Sequence, residues 1–298
     1  MTGFVTRFAP SPTGLLHLGH AYAALCAFGA AGEAGGICHV RIEDIDQTRC
    51  RPEFEDAIYT DLSWLGCNWP QPVRRQSTHR YDYQQALDRL IEAGLVYRCF
   101  RTRKEVADAI ASAPHEAGEV FTGSPLPARE EAALMASGAP YAWRLSLAAA
   151  KAHLGPDHDA LTIRVEALDA PHEPSEISAD PARFGDVVIA RKDAGTSYHL
   201  ASVHDDALQG VTHIIRGVDL ESSAHIHRLL QALLGYRPVI YRHHPLLTGA
   251  DGERYAKRDR SLTLDALRRE GRTPDDIRAL IAAHIAQGQL LRHESGHG

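Results

Sequence analysis

The pattern of hydrophobic and polar positions in the first hundred residues predicts strands and helices in alternation. Short apolar runs typical of buried strands are followed by helical runs that begin at proline or end at glycine. Strands are predicted at 4–5, 37–42 and 96–97, and helices from about 18, over 52–66 and over 81–93. Because strands and helices that alternate in this way form βαβ units, we predict an α/β fold with a doubly wound parallel sheet.

The pattern changes over residues 99–183. Thr102 and Glu105 form the capping sequence T-x-x-E at the start of a helix, and proline, glycine, alanine and serine then accumulate. Two alternating stretches, 141–147 and 161–166, predict strands within this segment. We therefore predict an inserted α+β subdomain.

A second half of the parallel sheet is predicted to begin at Phe184. Residues 184–191 open it, the β-branched run Val211–Ile215 predicts a buried strand, and 221–234 predicts an amphipathic helix. Two short helices are predicted from Leu264 onward, the second capped at Thr273. The predicted organisation is a first catalytic half at 1–98, the insertion at 99–183, a second catalytic half at 184–262 and a short helical segment at 263–298.

Composition narrows the class of protein. At 44% hydrophobic and 23% charged residues, the chain has the composition of an ordinary soluble globular protein. No apolar run approaches the roughly 20 residues of a membrane helix and no signal peptide precedes the fold, so we expect a cytoplasmic protein without membrane contact. The net charge of −6 argues against a protein that coats nucleic acid by bulk attraction. The five cysteines never form C-x-x-C, and reduced thiols are expected.

The stretch from Arg7 to His20 reads R-F-A-P-S-P-T-G-L-L-H-L-G-H, a strand, a turn and the start of a helix. The beginning of such a helix presents unpaired backbone N–H groups and a positive dipole end, which suits a phosphate. His17 and His20 share one side of the first turn, and Gly19 leaves room for a flat ring against bare backbone. An isolated H-x-x-H would more simply be two solvated histidines.

Charged residues also follow two later predicted strands. Glu43 comes after the strand at 37–42, and Arg216 comes directly after Val211–Ile215. In α/β sheets the carboxyl ends of strands are where ligands bind. Taken alone, Tyr198 is more simply a half-buried aromatic residue and Arg216 a surface ion pair, and Glu43 also fits a polar loop that follows a strand.

These stretches together resemble the class I aminoacyl-tRNA synthetases of the glutamyl/glutaminyl branch. The motif R-F-A-P-S-P-T-G-x-x-H-L-G-H is similar to their first motif, HIGH. The basic run after the predicted hairpin at Asp251-Gly252 is similar to their second motif, KMSKS, with Lys257 at the second lysine. Arg254 and Ala256 depart from that motif, and the second departure removes a hydroxyl donor.

The resemblance implies a Rossmann-like catalytic domain and ATP-dependent activation of L-glutamate to an adenylate. It also implies roles for individual residues: Glu43 and Tyr198 would hold the amino group, and Arg7 and Arg216 would receive carboxylates. The implied glutamate site is Arg7, Ser11, Glu43, Tyr198 and Arg216; the implied ATP site is Pro10, Thr13, His17, Gly19, His20, Asp219 and Lys257; and the implied catalytic residues are His17, His20 and Lys257.

The resemblance further implies cofactors. Mg²⁺ is expected to arrive with ATP, held chiefly by the nucleotide. Relatives of this length often carry a zinc site in the insertion, built on C-x-C, a tyrosine and a third cysteine. Here Arg101 stands two residues after Cys99, at the position of the second cysteine, and Phe121 stands near the tyrosine position. One cysteine does not make a tetrahedral site, so no structural zinc is predicted.

The chain ends shortly after the second motif, without the anticodon-binding region of glutamyl- or glutaminyl-tRNA synthetases. The resemblance then implies a stand-alone member of this branch that docks the anticodon stem-loop of tRNA(Asp) and transfers glutamate to queuosine there, and we expect a monomer. One alternative is a shortened synthetase that charges the 3′ end of tRNA(Glu). Another is a catalytically idle tRNA-binding or regulatory module, although the presence of His17, His20, Glu43 and Lys257 weighs against it.

Overall fold

The computed structural model describes residues 3–111, 120–168, 174–191, 195–247 and 263–295. Its first half alternates strand and helix as predicted, and the bounds of the second strand are those expected from the sequence. Gly66, with a φ of 82°, follows the second helix in the left-handed conformation that favours glycine. The elements are β1 Val5–Phe8, α1 Leu18–Glu33, β2 Ile37–Ile42, α2 Pro52–Trp64, β3 Arg74–Arg75 and α3 Arg80–Glu92.

The middle of the chain contains short strands and helices. The T-x-x-E cap is confirmed, because Thr102 and Glu105 each accept a hydrogen bond from the other's backbone N–H at the start of the predicted helix. The elements are β4 Val96–Cys99, α4 Arg103–Ala111, α5 Ala128–Ala136, β5 Ala142–Leu145, α6 Leu147–Leu154, α7 Pro156–Asp159, β6 Thr162–Val165, β7 Ser175–Ser178 and β8 Val188–Arg191.

The last third returns to alternating helix and strand. Its final helix, expected to be short, is 22 residues long, and it begins after Thr273, whose side chain caps it through Asp276. The elements are α8 Tyr198–Leu208, β9 His213–Gly217, α9 Ser223–Leu233, β10 Ile240–His244, α10 Leu264–Arg269 and α11 Pro274–Ser295.

The parallel sheet has its switch point between β1 and β9. On one side β1 pairs with β2 and β2 with β3; on the other, β10 lies between β9 and β6, and all these pairings are parallel. The two sides meet where the Thr212 N–H donates to the Val5 carbonyl over 2.8 Å. Chain connections leave such a sheet in opposite directions at this point, so a crevice opens at the carboxyl ends of β1 and β9.

Strand pairing crosses the predicted boundaries of the insertion. The strand at 184–191 was expected to open the second half of the parallel sheet, but β8 pairs antiparallel with β5. The strand at 96–97 was expected in the first half, yet β4 also pairs antiparallel with β5. Conversely β6, expected within the insertion, pairs parallel with β10. Short apolar alternation predicts a strand but carries no information about its distant partner, which explains these errors.

The C-terminal helices complete the core of the first half. Leu264 and Leu267 of α10 and Ile277 and Ile281 of α11 are buried in the same apolar cluster as α1, β2 and α2. Burial of these side chains ties the end of the chain to the helix that carries the histidine pair.

Two further expectations concern cysteines and membranes. All five cysteines are free thiols, as their number and spacing predicted. Within the described ranges, no helix combines the length and the apolar character that crossing a membrane requires.

Candidate active site

A cavity of about 740 Å³ opens at the switch point of the sheet. Phe8 and Pro10 at the end of β1 and Ile215 and Gly217 at the end of β9 line its walls. This is the position where doubly wound sheets bind ligands. Most of the predicted site residues line the same cavity: Arg7, Pro10, Ser11, Thr13, His17, His20, Glu43, Tyr198 and Arg216.

Three predicted site residues are not among the lining residues that the structure describes. Gly19 is not among the lining residues, and a Cβ built on it would lie 3.1 Å from the His17 ring. Asp219 does not line the cavity either. One of its carboxylate oxygens would lie 2.5 Å from a Cβ built on Gly217, and Gly217 is a lining residue. Lys257 and the rest of the basic run lie outside the described residues. The roles of all three stay predictions.

One end of the cavity is formed by the start of α1. His17 is the N-cap residue: its Nδ1 accepts the Gly19 N–H over 3.1 Å, while Nδ1 of His20 accepts the His17 N–H over 3.3 Å. In each neutral ring the proton is then on Nε2. Both imidazoles therefore act as acceptors toward the helix and as donors at Nε2, which is the atom that would meet a phosphate oxygen. We call this the nucleotide end of the cavity.

The opposite end carries the ionic side chains. Glu43 follows β2, and its N–H donates to the carbonyl of Pro10, which joins the two strand ends. Tyr198 begins α8, and its hydroxyl lies 3.5 Å from Nη1 of Arg216. Arg7 projects from β1. We call this the amino-acid end, and its four defining residues are Arg7, Glu43, Tyr198 and Arg216.

Arg216 is a buried cation with few internal partners. Its side chain is 5% exposed, and Nε and Nη2 make no hydrogen bond to any described residue. Its guanidinium lies 5.0 Å from the centre of the Tyr241 ring. A buried guanidinium without a carboxylate is costly, and an anionic ligand in the cavity would supply the missing charge.

Two histidines behind Tyr198 are neutral near pH 7. Nδ1 of His199 lies 3.1 Å from Nε2 of His227. Burial, with a smaller contribution from Arg216, lowers the pKa of His199 to about 4, and burial also holds the pKa of His227 well below its usual value. The pair therefore adds no positive charge beside Arg216 at neutral pH.

The pKa values of two carboxyl groups, Glu43 and Asp206, are shifted in opposite directions. Burial raises the pKa of Glu43, and Arg41 and Arg7 oppose that rise. The pKa of Asp206 is lowered, because Arg7 and Arg41 outweigh the effect of its burial. Neither Asp206 nor Arg41 was assigned a role from the sequence. The available signal was an acidic pair, Asp205-Asp206, inside the predominantly buried helix α8.

Thr263 is a further lining residue that the sequence analysis missed. It forms an isolated β-bridge with His17, and the Leu264 N–H donates to the Leu16 carbonyl over 2.8 Å. The described chain that resumes at Thr263, the first described residue after the basic run in sequence, is therefore joined to the histidine motif. Phe54 and Leu220 add apolar surface to the walls.

Within the described part of the chain, no three His, Cys, Asp or Glu side chains form a group that would hold a metal ion. The arrival of Mg²⁺ with ATP, held chiefly by the nucleotide, stays a prediction. Cys99 is buried with Tyr97 and Phe121, and the Arg101 guanidinium lies 5.8 Å from the Phe121 ring centre. The absence of structural zinc stays a prediction.

Comparison with known proteins identifies the family. Residues 4–287 match the family described as tRNA synthetases class I (E and Q), catalytic domain. The chain belongs to this family and is a ligase of that class.

Two named relatives illustrate its similarities. The chain is 45% identical over 295 residues to the glutamyl-Q tRNA(Asp) synthetase of Rhodobacter capsulatus, covering 93% of this chain and 99% of the relative. It is 37% identical to glutamate–tRNA ligase 2 of Dinoroseobacter shibae, but there it covers only 60% of the relative.

Solved structures confirm the Rossmann-like class I fold. The glutamate-tRNA synthetase of Elizabethkingia anophelis superposes with a TM-score of 0.68 at 26% identity, over 86% of this chain and 53% of that one. The chain thus spans about half the length of that structure. A methionyl-tRNA synthetase of Mycobacterium tuberculosis, at 12% identity and a TM-score of 0.57, shares the fold.

Proposed function

We propose that this chain activates L-glutamate with ATP and transfers it to tRNA, with queuosine in the anticodon of tRNA(Asp) as the acceptor. The observation that carries the amino-acid assignment is the guanidinium of Arg216, which is buried beside Arg7 and Glu43 and whose Nε and Nη2 have no hydrogen-bond partner among the described residues. Glutamate has two carboxylates and one ammonium. Two guanidinium groups and one carboxylate in one cavity complement those charges.

In the proposed reaction the α-carboxylate of glutamate attacks the α-phosphorus of ATP, and pyrophosphate leaves. The protein forms no covalent bond to the substrate. Its contribution is to orient the two reactants and to place donors where charge grows. Glu43 and Tyr198 would fix the ammonium, while Arg7 and Arg216 would receive carboxylates.

The nucleotide end supports a triphosphate. The first turn of α1 offers backbone N–H groups and the positive end of its dipole, and Nε2 of His17 and His20 would donate to phosphate oxygens. Mg²⁺ carried by ATP would neutralise phosphate charge. Lys257 is assigned to the leaving pyrophosphate on the strength of the motif resemblance.

The acceptor assignment has different support. The chain covers 99% of a relative that is named glutamyl-Q tRNA(Asp) synthetase and only 60% of one named glutamate–tRNA ligase. In the proposed complex, the anticodon stem-loop lies where longer synthetases hold the acceptor end.

Amino-acid activation is tested by exchange of labelled pyrophosphate into ATP without added tRNA. Glutamate should drive exchange, and glutamine and aspartate should not. Exchange that does not depend on any amino acid would contradict the assignment, and a complete lack of exchange would favour an idle binding module.

Acceptor choice is tested by transferring labelled glutamate to three purified RNAs: tRNA(Asp) with queuosine, tRNA(Asp) without it, and tRNA(Glu). We expect label only on the first. Mild alkaline hydrolysis and nuclease mapping then locate the ester in the anticodon. Labelling of the 3′ end of tRNA(Glu) would instead identify a shortened glutamyl-tRNA synthetase.

A further inference from the structure

Asp206 is a buried carboxylate that contacts two arginines behind the amino-acid end. It lies on α8 and is 2% exposed. Its Oδ1 accepts from Nε of Arg7 over 3.0 Å and from Nη1 of Arg41 over 2.7 Å. Arg7 lines the cavity, whereas Asp206 and Arg41 are not among its lining residues.

Arg41 extends this contact to Glu43. The guanidinium is completely buried, and its Nη2 donates to Oε1 of Glu43 over 3.3 Å while Nη1 also reaches Oε1 of Gln209 over 3.0 Å. Four side chains therefore form a row of ion pairs in which negative and positive charges alternate. The row runs from Glu43, directly after β2, through Arg41 and Asp206 to Arg7.

We propose that Asp206 is a positioning residue for the amino-acid substrate, which orients Arg7 directly and Glu43 through Arg41. This inference rests on the proposed function, because it assumes that Arg7 and Glu43 meet the carboxylate and the ammonium of glutamate. Asp206 itself does not touch the substrate.

The physical need for such a residue follows from the charges. Arg7 and Glu43 are opposite charges beside one cavity, and on their own they would attract each other. A direct ion pair between them would have to be broken each time glutamate binds. The interposed Arg41 and Asp206 give each of them an internal partner, so both keep a fixed orientation for the ligand.

The neighbouring Asp205 provides a matched control. It is 0% exposed and lies on the same helix. Its hydrogen bonds go to Nε of Arg74 over 2.7 Å, to the Tyr83 hydroxyl over 2.9 Å and to Nε2 of Gln76 over 3.0 Å. None of these three side chains lines the cavity, although Asp205 also lies 3.7 Å from Nε of Arg41. Substituting either aspartate removes one buried charge, but only Asp206 contacts Arg7.

The decisive experiment compares Asp206→Asn with Asp205→Asn in the full chain by glutamate-dependent pyrophosphate exchange. Asp206→Asn should raise the KM for glutamate about tenfold or more, the loss expected for a misplaced charged hydrogen-bond partner, and leave the KM for ATP nearly unchanged. Asp205→Asn should lower thermal stability and leave the ratio of the two KM values near that of the wild type.

The acid side of the pH profile gives a readout that loss of structure would not mimic. Ionised Glu43 is needed for the ammonium, so the KM for glutamate should rise as pH falls through the pKa of Glu43. The charged and titratable groups that act on Glu43 are Arg7 on β1, Arg41 on β2, and Tyr198 and Asp206 on α8. Asp206 raises the pKa of Glu43, and so in Asp206→Asn the rise in KM should move to lower pH.

The outcomes separate this inference from the proposed function. If the wild type shows no glutamate-dependent exchange, the proposed function fails. If the wild type is active and Asp206→Asn changes both KM values equally or neither, the positioning role is wrong. Should Asp206→Asn not fold, as judged by circular dichroism, Arg41→Lys is the second variant. It keeps the charge but loses the fork that joins Asp206 to Glu43, and an unchanged KM for glutamate in it would overturn the inference.

Discussion

The two ends of the cavity present charge in different ways. At the amino-acid end, buried ionic side chains from β1, β2, α8 and β9 meet, and most are held by internal ion pairs. At the nucleotide end, the described groups are the backbone at the start of α1 and two imidazoles that cap it. A small zwitterion needs opposite charges at fixed points, whereas a triphosphate can be bound by a helix dipole with cations added around it.

Two buried aspartates outside the cavity lining, Asp206 and Asp61, differ in their partners. Asp206 is held by two arginines, and its pKa is lowered. Asp61 of α2 is 0% exposed, both its oxygens lack a hydrogen bond to any described residue, and Nη2 of Arg268 on α10 is 3.7 Å away. Burial raises the pKa of Asp61 to about 6 despite Arg268. The pKa values of two aspartates with almost no exposed surface therefore shift in opposite directions. The number of nearby cations and their distance decide the direction of each shift.

The largest effect is expected for Lys257, which the motif resemblance assigns to the leaving pyrophosphate. Lys257→Ala should lower the rate of pyrophosphate exchange about 10²- to 10³-fold while the fold is retained, because it removes charge stabilisation in the transition state. Steady-state exchange and circular dichroism provide the measurements. Lys151→Ala, which removes an exposed lysine paired with Asp159, is the control and should exchange like the wild type. Full activity of Lys257→Ala would show that the second motif has been placed wrongly.

Arg216→Ala should have the next largest effect, at the amino-acid end. The KM for glutamate should rise roughly 100-fold, because the ligand carboxylate loses a buried charged partner whose Nε and Nη2 are not hydrogen-bonded to any residue that the structure describes. The KM for ATP should change little. Arg216→Lys keeps the positive charge but lacks the guanidinium fork. Its KM for glutamate should lie between those of the wild type and Arg216→Ala. An equal rise in both KM values would mean that the two ends do not act separately.

Arg7→Ala should weaken glutamate binding less than Arg216→Ala. About a tenfold rise in the KM for glutamate is expected, because Arg7 is already partly neutralised by Asp206. The same exchange titrations measure it. A larger effect than that of Arg216→Ala would reverse the assignment of which arginine carries more of the ligand's charge.

The smallest effect concerns stability. The pKa of Asp61 is raised in the folded state, so its favourable contribution is present at low pH and is lost as pH rises through about 6. Asp61→Asn should therefore be more stable than the wild type at pH 8, by about 1–2 kcal/mol or roughly 2–6 °C in Tm, and the gain should shrink at pH 5.

Thermal unfolding at the two pH values measures this, with Asp206→Asn as the contrast. That variant should be less stable than the wild type at pH 8, because it breaks a paired buried charge. If both variants shift Tm in the same direction at pH 8, the distinction between the paired and the unpaired aspartate is wrong.

Local signals along the chain were sufficient for much of the first half. The bounds of β2, the start of α1 and the caps at Thr102 and Thr273 depend on residues close in sequence, and all were predicted correctly. The R-F-A-P-S-P-T-G-x-x-H-L-G-H motif likewise led to the family, which the comparisons confirm.

Interactions between distant positions could not be predicted in this way. Arg7 and Asp206 are 199 positions apart, and their pairing depends on the path of the whole chain. The same holds for β6, β4 and β8, whose strand partners are distant in sequence. It holds also for Arg216, whose burial with two nitrogens not hydrogen-bonded within the described ranges is a property of its surroundings. Amino-acid order specifies propensities and caps over a few residues. Which charges meet in a closed interior is settled by packing, because only there are they removed from water and forced to find partners.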